Sequence, residues 1–340
     1  MNNIKAVAML SGGLDSTLAV KLMQDQGIEV VCLNFFTAFC MCDGSKGCRK
    51  TAAVVSEQFG TQLKVINVSE EYMDIVKSPA HGYGKNLNPC IDCRIFMLKK
   101  AGEFMRQIGA KFIITGEVLG QRPMSQNRRA MEIIEKESGL EDLIVRPLSA
   151  QYFSPSLPER EGWINRENLL SIKGRSRKKQ YDLTEKLRVS GFACPAGGCL
   201  LTDRKFSSVV QDLVVSDMLT PANVNMAKHG RYFKMDRFFK LFVGRNEAEN
   251  IWLKKGAREG DLYLETVDKG PAAVGRGEAS EAIIRESLDI VAYYCKSDEA
   301  KINFSVLPGD TSCRIIRDKL TEQNLADYRV SETVRKKKNI

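Results

Sequence analysis

Apolar runs and helix-period stretches alternate along the chain as far as Thr115. Runs at Ile4–Leu10, Glu29–Asn34, Leu63–Val68 and Lys111–Thr115 read as strands. Thr17–Gln26, Arg49–Phe59, Glu70–Val76 and Ile91–Ile108 carry the helical spacing between them. This alternation predicts an α/β fold, a doubly wound parallel sheet with helices on both faces. Its ligand site would lie at the carboxyl ends of the strands, near a switch point. The texture then changes. Pro147 to Pro158 is irregular and Pro-rich, a basic segment surrounds Arg175, and a loop holds Cys194 to Cys199. From about residue 218, Gly-punctuated short strands (Phe238–Val243, Asp261–Glu265, Ile302–Leu307) flank one amphipathic helix, Ser280–Cys295, and predict a smaller α+β domain. The expected division is 1–150 for the sheet domain, 151–217 for an extension completing its site, 218–334 for the second domain and 335–340 for a basic tail.

Between the first strand and the first helix lies Ser11-Gly12-Gly13-Leu14-Asp15-Ser16. A strand that turns on two glycines into a helix N-terminus aims successive N–H groups and the positive dipole end at one spot, where phosphate can sit. No lysine follows the last glycine as in a Walker A loop, and the three-glycine dinucleotide fingerprint is missing. The bland alternative is an N-capped turn with Ser11, Asp15 and Ser16 as capping residues.

Cysteine is the second source of chemistry. The chain has 10 cysteines and only 2 histidines in 340 residues, so metal or sulfur chemistry is expected ahead of imidazole catalysis. Asn88-Pro89-Cys90-Ile91-Asp92-Cys93 puts two thiols three apart at a helix start, where the dipole is expected to lower their pKa. Cys194-Pro195-Ala196-Gly197-Gly198-Cys199 lies far downstream. Two thiolates of the first segment and a third from the second can hold three irons of a cubane and leave the fourth open. Zinc and a redox dithiol are the competing readings. Cys40, Cys42 and Cys48 form a looser set, either a second metal or persulfide relay or inert thiols. Cys32, Cys295 and Cys313 read as structural.

The loop resembles the PP-loop of ATP pyrophosphatases. Asn88 to Cys93 resembles the Asn-Pro-Cys-x-x-Cys segment of tRNA thiolases, and Thr115-Gly116-Glu117-Val118-Leu119-Gly120-Gln121 resembles the nucleotide-side segment of tRNA 4-thiouridine synthetases. The three motifs, in this order, resemble a PP-loop tRNA thiouridine synthetase. That resemblance implies ATP and Mg²⁺ at Ser11, Gly12, Gly13, Asp15 and Ser16, with Gly116, Glu117 and Gln121 bordering the nucleotide. It also implies tRNA as substrate and catalytic roles for Asp15 and for Cys90, Cys93, Cys199 and Cys194. An iron–sulfur cluster, [4Fe-4S], is expected on Cys90, Cys93 and Cys199, with Cys194 as the alternative third ligand or a sulfur carrier. The sequence shows neither a THUMP-type region nor a rhodanese-type domain. RNA binding and the sulfur donor, sulfide or a persulfide from a cysteine desulfurase, are therefore expected from elsewhere.

Charge supports a polyanionic partner. The net charge is +9, and 43% hydrophobic residues suffice for two or three cores. Lys173, Arg175, Arg177, Lys178 and Lys179 form one basic cluster. Lys228 to Lys255 forms another, including Arg231, Lys234, Arg237, Lys240, Arg245 and Asn246, with Tyr232, Phe233, Phe238, Phe239, Phe242 and Trp252 among them. Both clusters are candidate RNA contacts, the aromatics offering either base stacking or an ordinary core. Phe242-Val243-Gly244-Arg245-Asn246 to Asn250 resembles NFACT-R-type RNA-binding domains. No apolar run reaches membrane-span length and no signal peptide is evident, so a cytoplasmic location is expected. A uridine thiolase is the expected function, with 4-thiouridine ahead of 2-thiouridine. A PP-loop ligase or amidotransferase on a small metabolite, and a non-catalytic RNA-binding protein, are the alternatives.

Overall fold

The computed structural model describes residues 4–41, 48–192 and 198–330. It divides into two compact units, the first ending at Thr202 and the second beginning at Asp203.

The first unit is a five-stranded sheet of β1 (Lys5–Met9), β2 (Glu29–Phe36), β3 (Gln62–Asn67), β4 (Phe112–Thr115) and β5 (Ile144–Val145). The strand order is β3-β2-β1-β4-β5 and every pairing is parallel. Its helices are α1 (Leu14–Gln24), α2 (Cys48–Gln58), α3 (Ser69–Lys77), α4 (Cys90–Gln107), α5 (Arg128–Ser138), α6 (Leu157–Arg160) and α7 (Lys178–Lys186). The period-2 alternation of the strands sorts their side chains onto two faces. Ala6, Ala8, Leu10, Cys32, Phe112 and Ile114 pack with Leu14 and Leu18 of α1, whereas Val7, Leu33 and Ile113 pack with Ile95, Leu98 and Met105 of α4. The doubly wound parallel sheet is therefore as the apolar pattern predicts. The order reverses between β1 and β4, so the crevice where open sheets bind ligands lies beyond Met9 and Thr115.

The second unit is a six-stranded antiparallel sheet, order β11-β10-β8-β9-β7-β6. Its strands are β6 (Arg231–Lys234), β7 (Lys240–Val243), β8 (Leu262–Thr266), β9 (Ala272–Arg276), β10 (Ala300–Val306) and β11 (Ser312–Ile316). The helices are α8 (Arg204–Val215), α9 (Pro221–His229), α10 (Glu247–Gly256), α11 (Glu281–Tyr293) and α12 (Glu322–Ala326). Leu288, Ile290, Val291 and Ala292 of α11 close a core with Phe233, Phe239, Leu241, Leu262 and Ile302. The unit begins ahead of residue 218 because α8 belongs to it. Asp212 of α8 accepts the Tyr232 hydroxyl and pairs with Lys240 Nζ at 2.7 Å and Lys234 Nζ at 3.0 Å. Among the described residues no helix is long and apolar enough to cross a membrane.

Candidate nucleotide and thiol site

Asn34 fixes the end of β1 by donating its Nδ2 to the Leu10 carbonyl at 2.7 Å. The chain then turns on Gly12, whose φ of 74° lies in the left-handed region that glycine enters at low cost. Ser16 Oγ and Thr17 Oγ1 donate back to the Gly13 carbonyl at 2.9 and 3.0 Å, and Ser11 Oγ lies 3.1 Å from Ser16 Oγ. No side chain caps α1 at Gly13, so the first-turn N–H groups face outward as anion donors. Gly116, just past β4, closes the other wall. A Cβ there would lie 2.4 Å from Ser16 N and 2.5 Å from the Asp15 carbonyl carbon, a contact only glycine allows.

Asp15 gathers three side chains from distant sequence. Gln121 Nε2 donates to its Oδ2 at 2.6 Å, and Gln180 Nε2 donates to Oδ1 at 3.3 Å and to Gln121 Oε1 at 3.0 Å. Arg177 Nε stands 3.8 Å from Oδ2. Gln121, expected beside the nucleotide, and Arg177, expected as an RNA contact, thus both meet the carboxylate of the phosphate loop. Sequence reading missed Gln180. Nothing in a run of basic residues marks the one glutamine that the start of α7 turns inward.

Glu117, expected beside the nucleotide, has its carboxylate engaged within the protein. It is 2% exposed, and both its oxygens are taken. Arg94 Nη2 donates to Oε1 at 2.6 Å, and Arg146 Nε and Thr115 Oγ1 donate to Oε2 at 3.2 and 3.1 Å. Burial on its own raises its pKa, but the two guanidiniums win and pull it down to about 2. The carboxylate works as a bracket that ties α4, and with it Cys90 and Cys93, to the ends of β4 and β5.

The thiols converge across three segments. Cys90 and Cys93 open α4, and Tyr72, buried on α3, donates its hydroxyl to Cys93. Cys40 and Cys199 pair through an isolated antiparallel bridge, with Leu200 N donating to the Phe39 carbonyl at 2.9 Å. The charge of Cys40 is felt at both Cys93 and Cys199, so Cys40 joins the Cys90, Cys93 and Cys199 group. Cys42, the side chain of Cys48, and Cys194 lie outside the described residues. The helix dipole does not set the acidity here: burial pushes the Cys90 and Cys93 thiols up, and Cys199 up to about 12. Asp92, between the two cysteines, accepts from the Ala80 and His81 N–H groups at 2.8 and 3.1 Å and so ties the start of α4 to the segment before it. Among the described residues no three His, Cys, Asp or Glu side chains are drawn together tightly enough for a single metal ion. A gathered set of thiols is nonetheless the donor chemistry of an iron–sulfur cluster, in which each iron takes its own thiolate. Of the remaining cysteines, Cys32 and Cys295 are buried as expected, whereas Cys313 is exposed on β11.

In the second unit several expected RNA contacts are structural. Lys240 is fully buried against Asp212 and cannot meet a phosphate. Asn246 caps α10 by accepting from Glu249 N, and Arg245 pairs with Glu249. Asn250 Oδ1 would lie 2.1 Å from a Cβ on Gly244, so the Gly244–Asn250 signature is a packing device joined to Ala272 N. Arg231 donates to the Gly244 carbonyl and stacks over Tyr294. Lys234 pairs with Asp212 but stays half exposed. Tyr232, Phe233, Phe239 and Phe242 are core, whereas Phe238 is 60% exposed with the Arg237 guanidinium 5.2 Å from its ring centroid. Lys173 lies over Tyr152, and Arg175, Lys178 and Lys179 are exposed.

Comparisons with known proteins agree with this division. Residues 2–151 match the family model described as thiamine biosynthesis protein (ThiI), and residues 230–329 match that of the NFACT protein RNA binding domain. A probable tRNA sulfurtransferase of Thermococcus kodakarensis is 31% identical over 148 residues, covering 42% of this chain and 36% of that protein. A tRNA-specific 2-thiouridylase MnmA of Natranaerobius thermophilus is 34% identical over 133 residues, 34% of this chain and 35% of the relative. The chain thus spans about a third of the length of these relatives. A crystal structure of a 4-thiouridine synthetase–RNA complex with bound ATP aligns with a TM-score of 0.35 at 20% identity, covering 54% of this chain and 51% of the other. The sequence resemblance is borne out in both segments: residues 2–151 are similar to the ThiI family, and residues 230–329 are similar to the NFACT RNA binding domain.

Proposed function

We propose that the chain is an ATP-dependent tRNA uridine thiolase. The observation that carries this reading is the pairing of a phosphate loop with a gathered set of thiols at one end of a ThiI-type sheet. ATP would lie with its phosphates against Ser11 to Ser16, and Mg²⁺ brought with it would offset their negative charge. Asp15, held by Gln121 and Gln180, organises the loop. A uridine carbonyl oxygen attacks the α-phosphorus, pyrophosphate leaves, and the base becomes an electrophile with AMP as its leaving group. Sulfide attacks the activated carbon and expels AMP, leaving a thiouridine; a persulfide would attach through its outer sulfur in the same way, and a second thiolate would then break the S–S bond, releasing the thiouridine and leaving a disulfide on the carrier. A [4Fe-4S] cluster held by Cys90, Cys93 and Cys199, with Cys194 as the alternative third ligand, would supply an iron open to sulfide. Arg94, fixed on Glu117, keeps positive charge beside Cys90 and Cys93 and favours their thiolates. The NFACT-R-type domain contributes tRNA binding through its exposed Arg237 and Phe238, stacking and phosphate contact together.

The product is read as 4-thiouridine, on the strength of the ThiI match; the MnmA relatives favour 2-thiouridine as the second reading. The test is anaerobic incubation of the full chain with tRNA, ATP, Mg²⁺ and sulfide, followed by nucleoside mass spectrometry and iron and sulfide analysis. An ATP-dependent thiouridine supports the proposal, and chromatography against both isomers assigns the position. ATP turnover with unmodified tRNA sinks it in favour of a small-molecule ligase.

A further inference from the structure

The segment from Lys173 to Gln180 reads in sequence as an RNA-binding basic run, yet its fold ties it to the phosphate loop. Leu119 and Lys173 form a parallel bridge, Gly174 N donates to the Leu119 carbonyl at 2.7 Å, and α7 then starts beside α1. Neither N-cap residue, Gly13 or Arg177, caps its helix with a side chain, Ser176 Oγ takes only the Lys178 N–H at 3.4 Å, and α7 has no acidic residue in its first turn, so two positive helix ends lie near Asp15. Two buried polar atoms there are unsatisfied. Gln180 is 0% exposed, sits with its amide on Asp15, and its Oε1 has no hydrogen-bond partner; Arg177 Nε is buried and likewise without one. At 3.8 Å the Asp15 carboxylate attracts the Arg177 guanidinium without giving its Nε a hydrogen bond. A buried donor left open is costly, and a planar fork of donors beside a phosphate loop matches phosphate oxygens.

We propose that Arg177 forms a second wall of the nucleotide site: its guanidinium binds the pyrophosphate half of ATP, opposite Ser11 to Ser16. Gln180 is a positioning residue that holds Asp15 and the start of α7 in register, its open Oε1 left as an acceptor facing the site. This deepens the adenylation reading and rests on it for the name of the nucleotide, though not for the anion site itself.

The test is calorimetry of the full chain with Mg²⁺-pyrophosphate, ATP and AMP, alongside tRNA binding across a salt series. Arg177→Ala is expected to weaken pyrophosphate and ATP binding by about 10-fold or more, the loss expected for charge-assisted hydrogen bonds. AMP binding should change by less than about threefold, since AMP lacks the contacted half. Arg177→Lys restores part of the loss, a point charge replacing a fork. Gln180→Leu weakens the same two ligands. Lys186→Ala, the same charge change at the far end of α7, leaves all three affinities in place. Pyrophosphate binding unmoved by Arg177→Ala in a protein with an unchanged melt overturns the proposal. So does a fall in tRNA affinity, with its salt slope reduced by about one, while ATP binding holds. If Arg177→Ala does not fold, Arg177→Lys and Arg177→Gln carry the comparison. Arg177-dependent pyrophosphate binding in a protein that makes no thiouridine sustains this inference and refutes only the thiolase reading.

Discussion

Replacing Glu117 with Gln keeps the shape of the bracket and removes its charge. The carboxylate titrates at about 2 in the fold against an ordinary 4.5, a gap of about 2.5 pH units. At about 1.4 kcal/mol per unit, that gap contributes about 3–4 kcal/mol to the stability of the first unit. Breaking a buried ion pair gives a second figure, about 3–5 kcal/mol, because Arg94 and Arg146 would lose their shared partner. The sign follows from a depressed pKa. The contribution is complete above the unfolded value, fades as pH falls through 4.5, and is gone near 2. The chain has 2 tryptophans, one in each unit, so Trp163 fluorescence in a Trp252→Phe background follows the first unit alone. Urea unfolding should show Glu117→Gln less stable by about 3–4 kcal/mol at neutral pH, and that difference should shrink as the buffer is taken below about pH 4. A difference within about 0.5 kcal/mol at neutral pH, or one that persists undiminished in acid, would refute the bracket.

Gly116→Ala drives a methyl group into the Asp15–Ser16 backbone at 2.4–2.6 Å; overpacking of about 1–3 kcal/mol should accompany loss of ATP binding, measured by calorimetry, and retained binding means the loop gives way freely. Leu200 N to the Phe39 carbonyl makes Cys40 and Cys199 a non-hydrogen-bonded antiparallel pair, with Cα atoms about 4.5 Å apart, within disulfide range. Mild oxidation of the metal-free protein with oxidised dithiothreitol should therefore yield a Cys40–Cys199 peptide in non-reducing mass spectrometry ahead of any Cys90–Cys93 link, and the reverse order contradicts the bridge. Lys240→Met should cost the second unit roughly 3–5 kcal/mol, read from Trp252 fluorescence, while the salt slope of tRNA binding stays put; a slope reduced by about one would return Lys240 to the surface.

The elements of the first unit were legible because buried parallel strands are apolar end to end and their covering helices are amphipathic. Leu14–Gln24 and Cys90–Gln107 lie within a few residues of the periodic stretches that announce them. β5 is only two residues long and carries no period of its own, so it escaped. The second unit was legible only as a texture. Its strands β6, β9 and β11 are four or five residues each, too short for alternation to stand out, and their pairing is set by the whole sheet. The phosphate loop was readable because its chemistry is local: Gly12 turns, Gly13 starts the helix, and the anion site follows from adjacent residues. Gly116 could be quoted as part of a motif, but its reason, a backbone 2.4 Å from where a Cβ would stand, belongs to two segments a hundred residues apart.

Charge misled wherever a partner lay far along the chain. Counting basic residues places Lys240 and Arg237 in one cluster, yet the first is at 0% exposure against Asp212 and the second lies over an exposed ring. Glu117 shows the converse: within a nucleotide-side motif it reads as a ligand contact, and the fold gives both its oxygens partners in Arg94 and Arg146. Arg177 is the instructive case, since its basic run is compatible with RNA until β4's following loop pairs with Lys173 and turns the segment toward Asp15. A long-range backbone bridge, not the local charge density, decides which anion a cation can reach. The same holds for sulfur. Cys40 looked like part of a separate set with Cys42 and Cys48, and one antiparallel bridge to Cys199 brings it into the group that Cys90 and Cys93 began. The second unit's binding surface should accordingly be sought at Arg237 and Phe238, where charge and ring are both exposed, rather than along the whole basic stretch from Lys228 to Lys255.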